Sequence, residues 1–194
     1  NIEAGAGVNG WTDTLIAVSE NVNQRQINDG LESISQLLAI TNPRSGLRVY
    51  VKSYHAGLNQ GGDLFVYDAT QANINDGGNV INGWVRQVPQ HYFNVLNFGA
   101  KGDGVTNDIE AFHKIEARIK ALNLEYAHIH FPKASNFYLV NGQTFTSGVG
   151  FTNKSVMSFL YENGTPLKVY LQCDNAVIRQ QDGQYYGVFD KNTK

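Results

Sequence analysis

The apolar positions of the chain change period along its length. Leu15, Val18 and Val22 are spaced three and then four apart, and Ile27, Leu31, Ile34 and Leu38 follow at four, three and four. These are two short heptad-like seams, out of step across the polar stretch Asn23-Gln24-Arg25-Gln26. The spacing predicts helix between Leu15 and Leu38, weakened at Gly30 and ended by Asn42-Pro43. Such a helix either packs on its own domain or joins copies of itself in an oligomeric stalk. The narrow seam has no aromatic residue nearby to pack on it, which favours a short, oligomeric coiled-coil stalk.

Beyond residue 46 the pattern turns to alternation. Leu47–Val51, Asp63–Asp68, Val80–Ile81 and Trp84–Val88, separated by glycine turns, predict a small antiparallel meander. After Pro89, Phe93–Phe98 reads as a strand, and a glycine loop follows from Gly99 to Thr106. A helix is expected from Thr106 or Asn107, with Asn107 and Glu110 at capping-box spacing. Its apolar face is Ile109, Phe112, Ile115, Ile119 and Leu122. From Ala127 the chain returns to short strands: 127–131, 137–140, 143–146, 167–172, 175–180 and 185–189. Strands 167–172 and 175–180, being neighbours, are expected to pair. The segments are therefore 1–46 helical stalk, 47–90 small β domain and 91–194 a strand, a helix and a run of short strands.

Composition sharpens this picture. Charged residues are only 16% of the chain, and 21 Asn, 12 Gln, 20 Gly and 22 aromatics fill it instead. That mixture suits strands, turns and surfaces that face sugars. A net charge of −2 gives no drive toward nucleic acid or anionic membrane. No apolar run reaches the roughly 20 residues of a membrane span. A single cysteine, Cys173, rules out an intrachain disulfide and a thiolate metal cluster, and a buried structural thiol is expected there. The start at Asn1-Ile2-Glu3 has neither initiator Met nor signal peptide, so a piece of a longer protein is expected.

The most specific string is Phe98-Gly99-Ala100-Lys101-Gly102-Asp103-Gly104-Val105-Thr106-Asn107-Asp108. It lacks the Gly-Lys-Ser/Thr of a phosphate loop, the third glycine of a dinucleotide fingerprint and the carboxylates of an EF-hand. A structural account remains. Gly99, Gly102 and Gly104 permit a tight strand-to-helix corner, Asp103 accepts turn N–H groups, Thr106 and Asn107 start the helix, and Asp108 sits in its first turn. His128 and His130 share one strand face without a recognisable third ligand, so no metal site is expected. His55, at a strand end, is expected to bond a turn carbonyl. Tyr185-Tyr186 could stack on sugar or pack between chains.

This string resembles the loop that opens the pectate-lyase-like right-handed parallel β-helix, with Asn97 and Asn107 in place of the usual aspartates. Ile129-His130-Phe131-Pro132 and Asp174-Asn175-Ala176-Val177-Ile178 resemble the strand ends that follow it. Tyr50–Phe65, Asp76-Gly77-Gly78 and Trp84–Val88 resemble the small domain ahead of the β-helix in bacteriophage tailspikes. Both blocks in this order identify the chain as similar to the N-terminal part of a tailspike depolymerase. The resemblance implies a homotrimer on the virion, outside the cell, attached to a phage tail or baseplate protein, whose later coils bind and cleave a bacterial surface polysaccharide. It implies no cofactor, and it places catalytic carboxylates beyond these residues, among which no carboxylate pair has catalytic spacing. Two rival readings stand beside it. One is a self-contained small polysaccharide lyase or glycosidase, and the other is a glycan-binding module using Tyr185, Tyr186 and Trp84.

Overall fold

The computed structural model describes residues 30–141, 144–146, 150–152, 157 and 167–180. The chain enters extended rather than helical. Leu31 bridges Val51 in parallel, its N–H donating to the Tyr50 carbonyl and its own carbonyl accepting from Lys52 N–H, both at 2.8 Å. Helix α1 is only Ile34–Leu38. Leu31, Ile34 and Leu37 are buried against Val49, Val51, Phe65, Ile81 and Trp84 of the same chain. The expected continuous helix over this stretch is therefore not formed. Leu31 and Ile34 of the proposed trimer seam turn into their own domain, while Leu38 stays exposed. Helical spacing misled because one apolar residue in the extended lead-in and two on a single helical turn also suffice to cover a sheet edge. Leu15, Val18, Val22 and Ile27 lie outside the described residues.

The first sheet contains β1 (Arg48–Ser53), β2 (Gly61–Tyr67), β3 (Val80–Ile81) and β4 (Trp84–Arg86) in the order β1-β2-β4-β3. It is not the simple meander expected, because β4 inserts between β2 and β3. The Asn82-Gly83 turn closes the β3–β4 hairpin. Both residues have positive φ, 50° and 86°, the condition for a tight hairpin whose twist matches its strands. Trp84 is buried, edge-on to Tyr67, and presents no face to a sugar.

The second unit begins with β5 (Tyr92–Asn94), which is shorter than expected. The Asn94 side chain accepts from Leu96 N–H and bends Val95–Phe98 into a 3-10 turn that ends at Gly99, φ 96°. Helix α2 (Ile109–Leu122) buries Ile109, Phe112, Ile115 and Ile119, the face expected from their spacing. The remaining strands are β6 (Tyr126–Phe131), β7 (Tyr138–Val140), β8 (Thr144–Thr146), β9 (Gly150–Thr152), β10 (Lys168–Cys173) and β11 (Ile178–Gln180).

Strands β10 and β11 do not pair with each other. β10 runs parallel to β6, with Tyr126 opposite Lys168, and β11 runs parallel to β7, with Tyr138 opposite Ile178. Successive strands thus go to different sheets and meet the preceding turn of the chain, as in a coil. β5 lies parallel on the other side of β6. Ala127, Ile129 and Phe131 point into the core with Phe93, Phe112 and Tyr138, while Tyr126, His128 and His130 face out. Cys173 is exposed, against expectation.

Replacing Leu31 by Ala removes a buried side chain from the first core and should cost about 2–5 kcal/mol. Thermal unfolding of the purified chain checks this. A variant that melts like the wild type and changes only its oligomeric state would return Leu31 to an intermolecular seam.

Candidate functional site

Three sets of polar residues hold the second unit to the first and define its outer face. At the junction, Arg86 is almost wholly buried. Its Nε donates to the Gly78 carbonyl at 3.1 Å, Nη1 to Gly61 at 3.2 Å and Nη2 to Asn97 at 3.2 Å. The guanidinium lies 4.5 Å over the Phe65 ring, with Asp63 Oδ2 at 3.9 Å. Burial pulls its pKa down to about 10, opposed chiefly by Asp63, so it is charged at neutral pH. Gln60 Nε2 donates to the Lys101 carbonyl, and His55 Nε2 meets the Gly99 carbonyl at 2.9 Å. His55 thus bonds a turn carbonyl as expected, but in the next unit.

The glycine loop forms the corner its sequence predicts. Asp103 accepts from Val105 N–H, Thr106 N–H and the Thr106 hydroxyl. Slight burial works against its charge, but these bonds and Lys101 hold its pKa below the ordinary value. Asp108 has another role from the one expected. It is the residue before α2, yet its side chain caps no helical N–H. It is buried and accepts instead from Lys101 N–H at 2.7 Å and Gly102 N–H at 3.1 Å. Burial raises its pKa, and those two N–H groups oppose the rise. Asn107 clasps the next coil, donating to the Asn141 carbonyl and accepting from Asn141 N–H. Gly102, φ 60°, leaves no room for a side chain, since a Cβ there would lie 2.6 Å from that of Ala134. Gly99 and Gly104 also have positive φ, consistent with the corner role.

The outer face carries a row of titratable side chains in contact. The Tyr92 hydroxyl and His130 Nδ1 are 2.5 Å apart, and His130 Nε2 lies 2.6 Å from Asp174 Oδ2. Gln172 bridges His128 and Asp174. Hydrogen bonds from His130 and Gln172 hold the Asp174 pKa down. Burial raises that of Tyr92 and keeps its phenol protonated. A protonated phenol donating to Nδ1 leaves Nε2–H for the carboxylate. The row therefore fixes the imidazole's orientation. Sequence reasoning noticed the two histidines but not Tyr92 or Asp174 beside them, because partners one coil away are separated by 38 and 44 residues. No described group of three or more His, Cys, Asp or Glu could hold a metal ion, and no described helix is long and apolar enough to cross a membrane. Tyr185 and Tyr186 lie outside the described residues.

Replacing Asp108 by Asn turns an acceptor into an NH₂ group facing either the Lys101 or the Gly102 N–H. The loss should be about 1–3 kcal/mol, read as a lowered midpoint in urea. An unchanged midpoint would show that these bonds do not hold the corner.

Comparison with known proteins agrees with both blocks. Residues 30–89 match the family described as phage tail protein small four-stranded beta-sheet domain. No curated protein matches the chain. Among solved structures, WceF of Pantoea stewartii, described as a glycan biofilm modifying enzyme with a bacteriophage tailspike-like parallel beta-helix fold, is 25% identical with a TM-score of 0.52. The match covers 58% of this chain and 17% of that one. The tailspike protein of Acinetobacter phage vB_ApiP_P1 is 20% identical, TM-score 0.46, over 78% of this chain and 31% of its own. The chain thus spans less than a third of either structure. Residues 30–89 match the small four-stranded β-sheet domain of phage tail proteins, and over 58% of its length the chain is similar to a protein with a tailspike-like parallel β-helix fold.

Proposed function

We propose that this chain is the virion-proximal, attachment portion of a homotrimeric tailspike whose following coils bind and depolymerise a bacterial surface polysaccharide. One observation carries the reading. Leu171 lies in register with Ile129, and Cys173 with Phe131, so each extends an inward-facing column of the first coil. Ile129 is fully buried, yet Leu171 is 61% exposed, and Val177 and Ile178 on the next segment are exposed as well. Among the described residues this interior column is uncovered, and solenoids bury their core only by stacking. The small β domain and α2 close the opposite end. On this reading the Tyr92–His130–Asp174 row is part of the spike's surface, and the cleavage chemistry belongs to later coils. The protein acts outside the cell, on the phage tail, joined to a tail or baseplate component.

The purified chain should run as a species of about three times 21.4 kDa in light scattering and release no fragments from capsular polysaccharide. A chain extended beyond Lys194 with its natural continuation should release them. New reducing ends or unsaturated uronate absorbance from the 194 residues alone would instead establish a self-contained enzyme, and a monomer would remove the trimer.

A further inference from the structure

A groove of about 630 Å³ lies between the small β domain and α2. Its floor is aliphatic. Ile34 and Ile81 are buried there, and Leu38 and Ile74 beside them remain 43% and 38% exposed. The α2 wall is Ala117 and Ala121, one helical turn apart and both exposed, so another backbone can approach the helix closely along this line. The charges around it are unequal. Among the described residues that line the groove, Asp76 is the one carboxylate. It is already engaged: Oδ1 accepts from Gly78 N–H and Val80 N–H, and Oδ2 lies 2.9 Å from Arg118 Nε. Lys114 has no carboxylate partner among the described residues, and its Nζ stands 5.9 Å over the Tyr54 ring. Gly77 makes room for the lysine stem, since a Cβ there would lie 2.8 Å from Lys114 Cδ. An apolar trough is thus flanked by two cations against one occupied carboxylate.

Resting on the reading that the chain attaches to a tail component, we propose that this groove is where that component docks, through an acidic amphipathic helix. The helix lays its apolar stripe on the Ile34 and Ile81 floor, and its carboxylates meet Lys114 and Arg118. The charges select the occupant, because a basic segment would face two uncompensated cations. The floor selects it too. Aliphatic side chains match it, whereas a sugar would bury hydroxyls against carbon with few acceptors. The small wall at Ala117 and Ala121 leaves room for a helix backbone, the arrangement in which an amphipathic helix is read by residues spaced three and four apart. The groove's other wall comes from residues 30–89, the part matched to phage tail proteins, so one occupant touches both units at once.

The test titrates the full chain, labelled at isoleucine methyls, with two synthetic helical peptides of about 20 residues. Both carry the same leucine stripe, one with glutamates and the other with lysines on the remaining positions. The glutamate peptide should shift the methyl signals of Ile34, Ile74 and Ile81 and bind at least about tenfold more tightly than the lysine peptide, with the gap closing as salt rises. Ala117→Trp, at an exposed position, should abolish the shifts, and Lys114→Glu should weaken the glutamate peptide about tenfold, both without changing the melting temperature. Equal binding of the two peptides, or shifts outside the groove, overturns the proposal. So do the same shifts produced by polygalacturonate, which would assign the groove to an acidic glycan, or by raising the concentration of the chain alone, which would assign it to a second copy. Light scattering on the same samples separates this proposal from the trimer. A monomer that binds the glutamate peptide keeps the docking site, and a trimer that ignores it loses the docking site alone.

Discussion

The structure depends on placing one charged side chain where no water reaches it. The Arg86 guanidinium needs acceptors on all sides, and three separate segments supply carbonyls: the Gly61 start of β2, the Gly77-Gly78 turn and the 3-10 turn at Asn97. A buried cation without such partners would be prohibitively costly. The requirement therefore fixes how the small β domain sits on the β-helix start. The rest follows from that placement. Phe65 lies under the guanidinium, and Gly78 must lack a side chain because the Phe98 ring occupies its Cβ position at 2.5 Å. His55 and Gln60 then reach across to the glycine loop.

The loop continues the same logic with anions. Asp103 folds the loop on itself, and Asp108 ties Lys101 and Gly102 down from the helix start. Asn107 hands the order on to the next coil through Asn141. Backbone geometry is thus passed from a β domain to a solenoid through hydrogen bonds that side chains of fixed length enforce.

How much of this could be read in the sequence varied with distance along the chain. The α2 face from Ile109 to Ile119 and the corner built by Gly99–Thr106 were legible because local periodicity and local turn chemistry determine them. The sheet order was not read: Asn82-Gly83 signals the β3–β4 hairpin but not which of its strands meets β2. The extended lead-in at Leu31 was missed because its apolar spacing fits a helix and a sheet cover equally well. Partners one coil apart, such as His130 with Asp174, or segments joined only through Arg86, leave no local pattern. The expectation that 167–172 pairs with 175–180 failed for the same reason: each strand joins the one a coil earlier, β10 with β6 and β11 with β7.

The central claim is that Arg86 makes the two units one cooperative body. Calorimetric unfolding of the wild-type chain and of Arg86→Met tests it directly. The account predicts a single transition for the wild type. For the variant it predicts a loss of at least about 3 kcal/mol, with the two units melting apart. Two separate transitions in the wild type, or a variant that still melts as one body at the same temperature, would contradict it.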